Sequence, residues 1–325
     1  MAESPNPQEP TPDPSQASPP VRPEGVVDKR YFCDLPTPDR DLPAKFAEAV
    51  HRLEGALGLP VWLLVQGGPG GSDWDYISEE VRAAFLKARK LGLPRAQKVA
   101  LLIDSRGGLA QSAYAIATIL RRHCGGFIAI VPRLAKSAAT LIALGADGII
   151  MGEYAELGPI DVQRMDPERG EWLSGLDEVQ SLERLNAFAV SALDQAMILL
   201  LSRTEMKPGT LLPHAIRFVT RMTGPLFSGI DVVRYTKMSR LLRVGEEYAR
   251  MLLTPRLGEK AADDIARNLV AKYPEHEFII DSEEAARLGL RPTKPSEELV
   301  RIMDEVAESL AGLTAIGRIH ERGLL

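Results

Sequence analysis

Apolar runs of five or six residues, each followed by a polar turn and then an amphipathic stretch, set the rhythm of the first half of the chain. Val61-Trp62-Leu63-Leu64-Val65-Gln66 is one such run, stopped by Gly67-Gly68-Pro69-Gly70-Gly71. A run this short and continuous suits a strand covered on both faces. Ile77, Val81, Ala84, Phe85 and Ala88 then share one face of a helix expected over about 76–91. Val99 to Asp104 predicts a second buried strand, and residues 109–123 a helix that Gly125-Gly126 ends. Phe127 to Val131 is the third strand, a small-residue helix opens at Ser137, and Gly148 to Met151 is the fourth strand. This alternation predicts an α/β fold with a largely parallel sheet.

Phe46, Val50, Leu53 and Leu57 mark a lead-in helix over residues 40–59. Residues 164–180 are polar and turn-rich, with Pro167, Gly170 and Gly175. A long helical pattern over 179–201 follows, broken at Lys207-Pro208-Gly209, and helical patterns return over 230–253 and 258–272. Phe278-Ile279-Ile280 predicts a short strand, and residues 282–290 a helix with Ser282 as N-cap, an acidic first turn and a glycine exit. Leu299, Ile302, Met303, Val306 and Leu310 form the apolar stripe of a C-terminal helix expected to dock on its own domain. The organisation is thus a tail (1–27), a lead-in helix (28–59), a core (60–163), a helical region (164–256), a returning strand and helix (257–292) and a C-terminal amphipathic helix (293–325).

Composition narrows the class. Eight prolines among Ser, Gln and Glu in residues 1–27 leave almost nothing apolar to bury, so this segment is expected to be a disordered tether. A net charge of −5 with scattered basic residues gives no reason to expect nucleic acid. Cys33 and Cys124 stand far apart, which indicates neither a disulfide framework nor a metal site and fits a reducing cytoplasm. No basic-then-apolar leader is visible, and the longest apolar run, Ala196 to Leu201, is too short for a membrane span. The glycine-rich stretch 67–71 matches neither the dinucleotide nor the phosphate-loop pattern, and suits a mobile loop at a strand end.

The chemistry gathers at two strand-to-helix junctions. Ser137 stands where a strand hands over to a helix, beside amides that are unpaired and partly positive, a setting suited to acyl transfer. The plain alternative is that its hydroxyl caps the helix. The other junction, Asp104-Ser105-Arg106-Gly107-Gly108, lies at the C-terminal end of a strand, where ligand sites of parallel sheets collect, and its glycines let bare amides approach a ligand. A carbonyl between the junctions would receive donors from Gly107 or Gly108 and from Ala138, an oxyanion hole in outline.

Ser105-Arg106-Gly107-Gly108 resembles the Ser-Pro-Gly-Gly turn of the Clp/crotonase superfamily, and Ala135-Lys136-Ser137 with Asp147 resembles the nucleophile segment of signal peptide peptidase A. The stretch Lys136 to Asp147, with Ala155-Glu156-Leu157-Gly158-Pro159-Ile160-Asp161, resembles the serine dehydrogenase proteinase family of the same clan. The segment from Phe278 to Leu290 is similar to the clan's late strand and helix. The resemblance implies a Clp/crotonase-like ββα superhelix with a helical C-terminal half. It also implies a serine peptidase without metal or organic cofactor, acting on peptide or unfolded-protein substrates and assembling as a homo-oligomer. Ser137 would be the nucleophile, and the amides of Gly107, Gly108 and Ala138 the oxyanion donors.

The general base stays open. Arg106 replaces the clan's proline, Asp161 stands roughly where the Clp proteolytic subunit has its histidine, and no lysine lies between Lys136 and Lys207. Lys207 and Lys237 are candidates by analogy and His214 by chemistry, whereas Lys136, next to the serine, is expected to face elsewhere. Asp161 is read as an orienting or structural carboxylate, and His276 as structural. Two alternatives remain: a crotonase-like acyl-CoA enzyme using the same oxyanion hole, and a non-catalytic scaffold. Specificity is expected in the loops 67–75 and 162–178.

Overall fold

The computed structural model describes residues 30–35, 42–68, 72–161, 163–166 and 171–322. The expected tail 1–27 and residues 69–71 of the glycine-rich loop lie outside them. In chain order the elements are β1 (Arg30–Leu35), α1 (Ala44–Leu57), β2 (Val61–Gln66), α2 (Glu79–Leu91), β3 (Val99–Asp104), α3 (Ala110–His123) and β4 (Phe127–Val131). A short β5 (Leu134–Ala135) leads into α4 (Ala138–Leu144), followed by β6 (Gly148–Met151) and β7 (Glu156–Leu157). The hairpin β8 (Gln163–Asp166) and β9 (Glu171–Ser174) feeds α5 (Gly175–Arg203), α6 (Pro208–Ser228) and α7 (Val232–Leu257). Then come α8 (Glu259–Ala271), α9 (Ser282–Arg287), α10 (Glu297–Glu308) and β10 (Thr314–Arg322).

Six strands form the main sheet in the order β1-β10-β2-β3-β4-β6. The run β2-β3-β4-β6 is parallel, as the alternating pattern predicts, and β10 pairs antiparallel with both β1 and β2. Every residue of β2 and β3 is buried, because helices cover both faces. With side chains alternating along each strand, Trp62, Leu64, Leu101 and Ile103 join the core under α2, α3, α4, α7 and α8. Leu63, Val65, Ala100 and Leu102 face the opposite core, formed with α1 and α10. The parallel strands deliver their C-terminal ends to one edge, and both candidate junctions stand there.

The structure corrects several expectations. Residues 278–280 contribute one antiparallel bridge, Leu157 to Ile280, in place of a strand. The cap of α9 is Asp281, whose carboxylate accepts from the Glu284 amide, so Ser282 is already helical. The break expected at Lys207-Pro208-Gly209 does fall between α5 and α6, and Pro208 opens α6, where its missing N–H is not needed. Residues 164–180 hold the β8–β9 hairpin and the start of α5, and the C-terminal region is a helix that docks through Leu299, Ile302, Met303 and Val306 and then returns as β10.

The candidate active site

Backbone pairing brings the two junctions together. The Ser105 amide donates to Leu134 O at 3.1 Å and the Lys136 amide donates to Ser105 O at 2.9 Å, so β5 runs beside the exit of β3. A side chain at Gly107 would place its Cβ 2.8 Å from both Lys136 O and Ser137 Cβ, and φ at this position is +113°. Gly108, at φ +148°, lies against Ile77, whose amide and carbonyl would each be 2.6 Å from an added Cβ. Glycine is required at both positions.

Ser137 itself has φ 52° and ψ −117°, a conformation that costs a non-glycine residue energy, and its hydroxyl makes no capping bond to α4. The cap alternative therefore fails, and strain of this kind is what a nucleophile held out on a sharp strand-to-helix turn carries. The side chain is half-buried. Of the expected oxyanion donors, Gly107 is committed elsewhere: its amide donates to Ser105 Oγ at 3.1 Å, while Ser105 donates to Gln66 Oε1 at 2.7 Å. The amides of Gly108 and Ala138 donate to no partner among the described residues.

Buried polar contacts fix the frame. Asp104, 1% exposed, holds Arg133 through two bonds of 3.0 and 2.7 Å, and the carboxylate raises the guanidinium's pKa. Thr140 Oγ1 lies 2.6 Å from Ala135 O and 2.9 Å from Gly158 O and accepts from the Gly158 amide, pinning α4 to the 156–161 strip. Lys136 faces away from the hydroxyl as expected: its buried ammonium pairs with Glu156 at 2.8 Å and reaches Phe278 O at 3.4 Å. Asp147 pairs with Lys98, remote from the serine turn.

The structure does not join the three proposed bases to the serine. Lys207, Lys237 and His214 are exposed residues of α6, its cap and α7, and none has a hydrogen bond to Ser137 among the described residues. Instead, Asp161 accepts a short hydrogen bond from His276 Nδ1, and its other oxygen accepts from Ser174 Oγ at 3.1 Å. The two side chains are 4% and 11% exposed. A carboxylate can only accept, so Nδ1 carries the proton and Nε2 keeps its lone pair in the neutral ring. Both residues stand on strips that flank the serine turn: β7 pairs with β5 and continues to Asp161, and residues 276–280 follow β7 through the Leu157 to Ile280 bridge. His276 is the functional candidate that sequence reasoning passed over. Its signal was its place immediately before the returning segment, which the fold lays beside the site.

Among the described residues no three His, Cys, Asp or Glu side chains converge as a metal site requires. Residues 50–180 match the family described as ClpP-like SDH-type serine proteinase. Over this span, about two fifths of the chain, the sequence is similar to that family. The span contains Gly107, Gly108, Ser137 and Asp161 and stops short of His276. Two uncharacterized proteins of Methanocaldococcus jannaschii are similar along more of the chain. The first is 28% identical over 258 residues, which cover 78% of this chain and 71% of the relative. The second is 24% identical over 243 residues, covering 74% of this chain and 64% of that protein.

Proposed function

We propose that the protein is a serine peptidase in which Ser137, His276 and Asp161 act together on peptide or unfolded-protein substrates. The observation that carries this is the buried Asp161–His276 pair on the strips flanking a strained, uncapped serine. His276 Nε2 takes the Ser137 proton as Oγ bonds to the substrate carbonyl carbon, and the carbonyl oxygen becomes an oxyanion held by the Gly108 and Ala138 amides. The imidazolium, stabilised by Asp161, returns the proton to the leaving amine as the C–N bond breaks. Water then repeats the sequence on the acyl-enzyme and frees the acid.

The Ser137 hydroxyl and His276 Nε2 are not hydrogen-bonded in the free protein, and catalytic contacts of this kind commonly tighten only when substrate is bound. An acyl-CoA enzyme that only holds an oxyanion has no use for a strained serine or for an oriented imidazole, and a scaffold has use for neither. Fluorophosphonate labelling tests the proposal. Wild type is expected to label at Ser137, Ser137→Ala to lose the label, and His276→Gln to label at least about a hundredfold more slowly. Equal labelling of wild type and Ser137→Ala removes the serine from the reaction, and unchanged labelling of His276→Gln removes the histidine.

A further inference from the structure

A buried chain of hydrogen bonds joins the glycine turn to strand β2, and the proposed reaction gives its members no part. Gln66, the last residue of β2, is 5% exposed, and Ser105, just past β3, is 1% exposed. Gln66 Nε2 donates to Trp74 O at 2.9 Å, Ser105 Oγ donates to Gln66 Oε1 at 2.7 Å, and the Gly107 amide donates to Ser105 Oγ at 3.1 Å. The Trp74 carbonyl fixes the direction of every proton. It can only accept, so Gln66 meets it with NH2 and offers its oxygen to the hydroxyl, whose lone pairs are left for Gly107. Ser105 thereby closes a side-chain turn over Arg106. Position 106 has no proline ring to fix φ, and Gly107 at φ +113° has no side chain to restrict it, so bonds hold this turn in place of sterics.

The same strip of chain grips Gly107 from its other side. Gly107 O accepts from the Ile77 amide at 2.8 Å. The contacts close a ring: from the Gly107 N–H through Ser105 and Gln66 to Trp74, along the chain to Ile77, and back to the Gly107 carbonyl. The strip is itself pinned to β10, where Thr314 Oγ1 donates to Asp75 Oδ1 at 2.8 Å. Ser105 is anchored to the serine turn as well, because its amide and carbonyl pair with Leu134 and Lys136. The Gly107 carbonyl and the Gly108 N–H belong to one rigid trans peptide and point in opposite directions. Any rotation of that plane re-aims the Gly108 amide.

We propose that Ser105 and Gln66 are positioning residues that aim the Gly108 amide at the oxyanion, acting through the two peptide groups of Gly107. The inference rests on the serine peptidase reading of this site. A donor to the oxyanion stabilises the transition state more than bound substrate, so loss of its aim lowers kcat and leaves KM. The test compares Ser105→Ala and Gln66→Met with wild type, in hydrolysis of fluorescein-labelled casein and in the amide spectrum of 15N-labelled protein. Ser105→Ala is expected to lower kcat about thirtyfold at constant KM, less than removal of a donor itself costs. Gln66→Met keeps the bond from Gly107 to Ser105 but frees the hydroxyl to turn, and is expected to lower kcat about fivefold at constant KM. In both, the Gly108 amide resonance should move although neither side chain is bonded to it. A rise in KM with kcat intact overturns the proposal, and so does a Gly108 resonance that stays in place. If circular dichroism shows Ser105→Ala unfolded, Gln66→Met carries the same two readouts. Wild type that neither cleaves casein nor labels at Ser137 overturns the peptidase reading, and the Gly108 resonance then still decides whether the hydroxyl aims that amide.

Discussion

At the scale of single residues, Ser137 concentrates the cost of the site. A non-glycine residue at its φ and ψ loses on the order of 1–3 kcal/mol, and glycine recovers that at an entropic cost of about 1 kcal/mol. Ser137→Gly is therefore expected to abolish probe labelling while unfolding in urea at or above the wild-type midpoint. A lower midpoint would show that the backbone there is unstrained. In the proposed triad Asp161 acts through His276, to which it is hydrogen-bonded. Asp161→Asn should keep the fold and the substrate KM but lower kcat by about 10³–10⁴, since an amide no longer enforces the productive tautomer. A rise in KM with kcat unchanged would assign Asp161 to binding. The serine turn was legible in the sequence because a local pattern, strand then small-residue helix, makes it. His276 was not, because its partner stands 115 residues earlier and only folding brings them together.

Elements position these residues through backbone contacts that leave no room for change. The β3 exit and the serine turn touch at Gly107, and Gly108 lies against the backbone of Ile77. Gly108→Ala is expected to displace the Ile77 strip and with it an oxyanion donor, lowering turnover by about 10²–10³. Wild-type turnover with an intact fold would dismiss Gly108 as a donor. A second device joins α8 to α9: Glu284 accepts from Lys272 at 2.7 Å and from Tyr273 at 2.8 Å, and these bonds hold its pKa below the ordinary 4.5. A carboxylate depressed in the folded state stabilises it above the unfolded value, and that gain is lost as pH falls below 4.5 through the folded value. Melting temperatures of wild type and Glu284→Gln should differ at neutral pH and converge in acid; a constant difference would place the effect in packing. The four parallel strands could be read directly, since double burial writes itself as unbroken apolar runs. The strands β1 and β10 carry polar residues at alternate or irregular positions, and β10 pairs with β1 and β2 from the far end of the chain, which no local window contains.

Across the whole molecule, two regions of different solidity share one chain. The sheet and its covering helices bury two apolar cores, whereas α6 relies mainly on α5, and α5 on α6 and α7. Hydrogen exchange should find amides of β3, β4 and α4 protected to the level of global unfolding and those of the outer half of α5 and of α6 opening far more readily. Uniform protection in the free monomer would refute this division. The break before Pro208 is real, but Pro213 and Pro225 hid α6 from the sequence pattern: propensity argued against a helix there, and packing on α5 carries α6 past both prolines.

The long separation of Asp161 and His276 also orders events in time. During synthesis the glycine turn and the serine turn emerge close together, and more than a hundred residues pass before His276 follows. The strand β10, which fills the slot between β1 and β2, is later still. On the proposed chemistry a growing chain thus holds Ser137 without His276, and no triad is assembled until the far end of the fold arrives.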